Sequence, residues 1–481
     1  MKNIWRCIWV IGILFAMVFG AEYANKQITE QLTTNAINNL GGNVEEWAKP
    51  DLEYMEYYEM EAFDTTLPVI YIDTKNQRIS KENPIWASIA VLDKEADGTA
   101  HSIMETPDYD AAITIKYRGA SSYSGFDKKQ FRIKFYEKEN VLIPKTYMFL
   151  GMGNNCEWVL NGPFLDKTLM RNRLAYTVAG EIFDWAPDTR YVEVFLDGEY
   201  QGVYLAVEPV SNGESRLRLS KFGLLSGSTA YVVKRDRIGT EGSPLEVYGK
   251  IMGKTNNDLF IAYPGKSSLT EVQREWITKD ISKFEEVLYG ENFADPMYGY
   301  AKYIDVESFV DYYIFNEVFM NNDAGDLSTY IYKELDGKLQ MAVWDFNNCY
   351  DNYQWFPQNF EEFIVSERAW FSRLLQDRAF VDAVIKRYEE LRTDKLSKEY
   401  FEMLLNSFQK ELGPAIERNF AVWGYSFDIN FLTGTVDYLG ADQSRDLKSY
   451  DAAVEQLKKA IDLRFEFLDD NIQELYSFCV N

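Results

Sequence analysis

The chain has 481 residues, a formal net charge of -25, 46% hydrophobic and 16% aromatic residues, and one histidine, His101. The length supplies ample core for one large domain or two to three smaller ones, and the aromatic content excludes an acidic disordered protein. The acidity excludes the basic surface that nucleic-acid backbones require, and one histidine excludes a His-rich zinc site, so chemistry rests on carboxylates, Lys, Arg and hydroxyls.

Residues 1–20 (MKNIWRCIWVIGILFAMVFG) carry Lys2 and Arg6 before an apolar run over 7–19. That pattern predicts a signal peptide, with an uncleaved N-terminal anchor as the alternative, and hence an exported protein, extracellular or at the cell surface. Beyond the leader stand Cys156, Cys349 and Cys479 without CxxC spacing, which supports neither a disulfide scaffold nor a structural zinc. Residues 21–66 read as an acidic linker, dense in Glu and Asp with little apolar periodicity. The folded domain is expected over 67–481.

Strands are predicted over 67–74 and 85–93. In 112–118 (AITIKYR) and 130–136 (QFRIKFY) apolar residues alternate with basic ones, and the small-residue loop 119–125 (GASSYSG) joins them. Such a loop, with Arg118, Lys129, Arg132 and Lys134 around it, suits an anion, since small residues let backbone N–H groups approach phosphate oxygens; a hairpin turn with a solvated basic face is the plain alternative. A helix is predicted over 167–183, with Asp166 as N-cap and Arg171 as its surface ion-pair partner. The next hairpin (191–208) ends at Glu208, which either pairs with a base such as Lys129 or simply terminates the strand. Helical periodicity then dominates, over 270–289, 306–320, 379–391, 397–411 and 450–476. The pattern is α+β, strands first and helices later.

One hairpin interrupts the helices. Strands 329–334 (TYIYKE) and 339–344 (LQMAVW) flank Asp336-Gly337, a strong turn signal. Asp323 and Asp326 precede the first strand and Asp345 follows the second, so antiparallel pairing delivers carboxylates from two loops to one rim. That rim suits a divalent cation held against a phosphate; ordinary turn aspartates are the other reading. Trp344 and Phe346 are expected in the core.

Four blocks in order, KYRGASSYSGFDKKQFRIKF, EWVLNGPFLDKTLMRNRLA, VEVFLDGEYQGVYLAVEPV and YIFNEVFMNNDAGDLSTYIYKELDGKLQMAVWDFNN, resemble the spore-coat protein H (CotH) kinase family over roughly 110–350. The resemblance implies an atypical, minimal protein-kinase-like fold, β-rich first and helical over 360–481, that transfers the ATP γ-phosphate to protein Ser/Thr hydroxyls with Mg²⁺ or Mn²⁺. It implies Arg118, Lys129 and Arg132 as phosphate contacts and Glu208 as partner of a phosphate-binding lysine. Asp323 becomes the residue at the acceptor hydroxyl and Asp345 the metal ligand, a division of labour that suits phosphoryl transfer. The chain departs from the family pattern in two places. Asn347 stands where WDFD would place a second carboxylate, and Ser328 and Thr329 stand near the usual Asn. The metal set is then Asp345 and Asn347, with Asp326 as the compensating carboxylate.

Two other functions compete. A catalytically weak or inactive surface or envelope protein would keep the same fold for structure or partner binding. A carboxylate-based glycoside hydrolase ranks last, because no pair of carboxylates across a sugar cleft emerges from the sequence.

Overall fold

The alternation in the first half of the chain closes on itself. A computed structural model describes residues 62–93, 98–137, 144–237, 242–352, 357–428 and 447–480. The leader and the acidic segment up to residue 61 lie outside the described residues. Seven strands, β1 (Val69–Asp73), β2 (Ile85–Leu92), β3 (Tyr109–Arg118), β4 (Gln130–Tyr136), β5 (Glu157–Asn161), β6 (Thr189–Leu196) and β7 (Glu199–Val207), form a closed barrel. Their order is β6-β7-β5-β4-β3-β2-β1. Neighbours run antiparallel except at the closure, where β6 lies parallel to β1 with Glu193 opposite Val69.

The two-residue period sends Ile113 and Ile115 of β3, Phe131, Ile133 and Phe135 of β4, and Trp158 and Leu160 of β5 into the barrel interior. Arg118, Arg132 and Lys134 take the alternate, outward positions. The loop 119–125 is not an open cradle: Ser121–Gly125 winds into a short helical turn. The linker also ends earlier than expected, because Asp64–Thr65 pairs with His101–Ser102 and Phe63 stacks on Phe195 at 6.3 Å.

A second sheet carries β8 (Tyr231–Asp236), β9 (Asp258–Tyr263), β10 (Thr329–Lys333) and β11 (Gln340–Ala342) in the order β9-β8-β10-β11. The predicted hairpin is its β10-β11 half. The longer helices are α1 (Arg171–Ala179), α2 (Glu271–Leu288), α3 (Val306–Phe319), α4 (Arg378–Arg392), α5 (Lys398–Leu412), α6 (Ala415–Trp423), which packs on β7 of the barrel, and α7 (Tyr450–Asn471). The helical run expected to residue 476 leaves α geometry at Asn471 and continues as a 3-10 helix over Ile472–Phe478. The largest cluster of buried apolar side chains draws on residues from Leu67 to Leu475, Trp344 and Phe346 among them, so barrel exterior, sheet and helices share a core. No helix among the described residues is long and apolar enough to cross a membrane.

The helix expected from residue 167 begins only at Arg171. Leu169 has φ +63°, which no helix accommodates. Asp166 uses its carboxylate on that bend instead, accepting from the N–H groups of Thr168 and Arg171 at 3.2 and 2.9 Å. The expected surface pair is a buried one: Arg171 and Asp166 meet at 2.6 Å with side chains 1% and 4% exposed.

Candidate functional site

The site is built where α3 ends and where β11 ends. Met320 closes α3 in the left-handed conformation, and Asn321 folds back, accepting the Asp323 N–H at 3.3 Å while its own amide donates to Asn316 at 3.0 Å. Gly325, at φ +85°, lets the loop turn under Arg368; a Cβ there would lie 2.8 Å from the Arg368 Cβ. These constraints hold Asp323 beside the start of β10.

Asp345 follows Trp344 with φ +65°, a conformation that costs energy for a residue with a side chain and is retained by its surroundings. Those surroundings are on α1. The Asp345 N–H donates to Tyr176 Oη at 3.0 Å and the Phe346 N–H to Asn172 Oδ1 at 2.8 Å. Residues 172 and 176 are one helical turn apart and share a face. The Asp345 carboxylate accepts from Ser328 Oγ at 3.4 Å, a long contact that leaves most of its lone-pair capacity unused.

Asp323 and Asp345 act on each other electrically. Burial and then the Asp345 charge push the Asp323 carboxyl up to about 6. Burial raises the Asp345 carboxyl too; Arg118 opposes that rise and Asp236 adds to it. Two half-buried carboxylates that repel each other form a place a cation would relieve.

The barrel supplies the opposite wall. Arg118 leaves the end of β3 with its guanidinium 5.3 Å from the Trp344 ring centre, held by Gln130 at 2.8 Å. Arg132 shares the outer barrel face with Arg118 and pairs with Glu157 at 2.7 Å, its side chain half exposed. Lys129 does not reach this wall. Its ammonium donates to the carbonyls of Tyr123 and Phe126 at 2.7 and 2.5 Å and so stitches the 121–125 turn.

Glu208 is placed elsewhere as well. It faces Arg216 at 3.5 Å and accepts from the Asp188 N–H at 3.2 Å. Register explains why a Lys129–Glu208 pair does not form. Val207 lies opposite Val159 and Phe131 opposite Leu160, so the two residues flank opposite ends of β5. Roughly four residues of strand separate them, about 13 Å.

The expected metal set is also incomplete as a cluster. Asp326 forms an ion pair with Arg368 at 3.1 Å, and the Asn347 amide donates to Asn348 at 3.0 Å. Among the described residues, no three His, Cys, Asp or Glu side chains stand close enough together to hold an ion. Asp345 nonetheless fits a magnesium-type cation, which takes one or two carboxylates and completes its shell with phosphate oxygens and water.

Sequence reading missed β8 and the pair it brings, Lys234 and Asp236, whose charged atoms are 2.9 Å apart. Both charges act on Asp345. The available signal was YVVKRD, a β-branched run behind the Ser226-Gly227-Ser228 turn.

The site lies inside a recognisable sequence envelope. The CotH kinase protein family model matches residues 115–468, from the middle of β3 to the last turn of α7. The inner spore coat protein H of Bacillus subtilis (strain 168) is 26% identical over 253 residues, covering 52% of this chain and 62% of that protein. The match thus spans about three-fifths of that relative's length. With most of its length matched, barrel wall and aspartate loops included, the chain belongs to the CotH kinase protein family.

Proposed function

We propose that the protein is an exported, kinase-like phosphotransferase that moves the ATP γ-phosphate to Ser or Thr hydroxyls of a protein substrate, using Mg²⁺ or Mn²⁺. One observation carries the reading: Ser328, from the loop that carries Asp323, donates to Asp345 at 3.4 Å, so two loops bring carboxylates to one half-buried rim, and Arg118 stands beside it with its guanidinium 5.3 Å from the Trp344 ring centre. When bound, the cation neutralises phosphate charge. The remaining work belongs to the chain. Asp345 holds the cation, Arg118 and Arg132 bind phosphate oxygens, and Asp323 orients the acceptor hydroxyl and takes its proton.

The protein-kinase-like organisation is part of this proposal. The barrel serves as the nucleotide-side wall, and α1 braces the cation loop through Tyr176 and Asn172. Lys129 is left out of the phosphate set because both of its short contacts are backbone carbonyls. A surface location is supported by the leader pattern and by the spore-coat name of the Bacillus relative.

Incubation of the full chain with γ-labelled ATP and Mn²⁺ or Mg²⁺, with and without candidate protein acceptors, tests the activity. Label on protein that disappears in Asp345→Ala supports transfer. No labelling, or labelling indifferent to that substitution, leaves the reading of a non-enzymatic surface protein, which the pairing of Asp326 with Arg368 favours.

A further inference from the structure

Gln358 has no part in the transfer described above, yet it touches both carboxylate loops. Its side-chain oxygen accepts the Asp351 N–H at 2.7 Å, and its backbone N–H donates to Asp351 Oδ1 at 2.9 Å. Its side-chain N–H donates to the Met320 carbonyl at 3.3 Å. Asp351 lies in the loop that follows Asp345, and Met320 ends α3 just before Asp323. A primary amide suits this place because it donates and accepts at once.

The two residues it clasps need holding. Met320 has φ +50° and Asp351 φ +57°, with Tyr350 beside it at φ +55°, so both loops carry non-glycine backbone in the left-handed region. Such conformations persist where the surroundings over-determine them. On the Asp345 loop, Arg171 Nε donates to the Cys349 carbonyl at 3.0 Å, the Gln456 amide to the Tyr350 carbonyl at 3.0 Å and the Asn352 amide to the Asn347 carbonyl at 2.7 Å. On the other loop, the Asn321 side chain links the Met320 turn to the Asp323 N–H. Each of these sets fixes one loop. Gln358, 9% exposed, joins the two. The Ser328–Asp345 contact also joins them, but between side chains at the rim, whereas Gln358 grips the backbone of both.

We infer that Gln358 is a positioning residue for phosphoryl transfer, fixing the spacing between the Asp323 and Asp345 loops through their backbones. This rests on the phosphotransferase reading above and deepens it with a residue that sets how the two carboxylates meet one reacting phosphate. Spacing matters because a misplacement of about 1 Å can cost on the order of a hundredfold in rate.

The test compares the full wild-type chain with Gln358→Met, which keeps the length of the side chain and loses the amide, and with Gln358→Glu, which keeps the acceptor for the Asp351 N–H and loses the donor to Met320. Label transfer from γ-labelled ATP to the acceptor that wild type labels best gives kcat and the KM for ATP. Loss of the free-ion paramagnetic signal, with a non-hydrolysable ATP analogue present, gives Mn²⁺ affinity. In both variants kcat is expected to fall by about tenfold or more, while KM and Mn²⁺ affinity stay within about twofold, because each loop keeps its own braces. Should Gln358→Met fail to fold, Gln358→Glu decides. A merely structural amide predicts a lower melting temperature with kcat per folded molecule within about twofold of wild type, and that result overturns the assignment while leaving the phosphotransferase reading standing. Loss of Mn²⁺ binding in step with kcat also overturns it, since the effect then lies on the Asp345 loop alone. A wild-type chain that labels no protein overturns both.

Discussion

Asp323 is held in a state that works against the stability of the fold. Its folded carboxyl lies at about 6, above the ordinary 3.8, so the folded protein binds the proton more tightly than the unfolded chain does. Stability therefore falls as pH rises from about 4 to about 6, and the full penalty is present above that range. Asp323→Asn should stabilise the protein at pH 7.5 by about 1–3 kcal/mol, an advantage that vanishes near pH 4. Denaturant titrations at the two pH values check this, and an equal effect at both would remove the electrostatic explanation. The same substitution should abolish transfer, a trade of stability for function common at active sites. Transfer should rise with pH through about 6, and saturating cation should move that inflection lower, because charge neutralised on Asp345 no longer opposes ionisation of Asp323.

Between elements, the contact that matters most is the brace from α1 to the Asp345 loop. Tyr176→Phe keeps the ring against Trp344 and Phe346 but removes the acceptor for the Asp345 N–H. A buried donor left unpaired costs about 1–3 kcal/mol, so a lower melting temperature and a lower transfer rate are expected together. A variant with the melting loss but unchanged kcat would show that Asp345 does not need the brace. This element also shows what a sequence can and cannot reveal. The strand 130–136 was legible because Phe131, Ile133 and Phe135 are buried while Arg132 and Lys134 between them are not, which writes a period of two into the sequence, whereas 69–72, buried on both faces, reads as a continuous apolar run. The rim aspartates were legible because Asp336-Gly337 fixes the hairpin that brings their loops together. The late start of α1 was hidden in the backbone of Leu169, and the Asp236 contribution depended on which strand pairs with β10. The Lys129–Glu208 pairing failed for the same reason, since register across β5 sets that separation and no local pattern encodes it.

At the scale of the molecule, the aspartate loop is tied to the far end of the chain by a buried ion pair. Arg464 of α7 meets Glu317 of α3 at 2.6 Å, with side chains 0% and 2% exposed. Its guanidinium also donates to the Glu317 carbonyl at 2.8 Å, while the Glu317 carboxylate accepts the N–H groups of Ile364 and Val365 at 2.9 and 2.8 Å. Glu317 is three residues before the turn at Met320, so α7 fixes the axis along which α3 delivers Asp323. Glu317→Leu strands a guanidinium in the core and should cost about 3–5 kcal/mol, whereas pairing it with Arg464→Met should recover a large part of that loss. Because the pair is shielded from solvent, 1 M salt should not reduce its contribution, unlike that of the exposed Lys279–Glu275 pair. The shared core makes a stronger claim. If apolar residues from Leu67 to Leu475 form one cluster, barrel and helices should unfold together. Near-ultraviolet circular dichroism of the aromatic side chains, amide exchange of the barrel strands and the far-ultraviolet signal of the helices should then give one coincident urea transition in wild type and in Glu317→Leu. Two separated transitions would mean that the barrel stands alone and that the tie between α7 and the Asp323 loop is local.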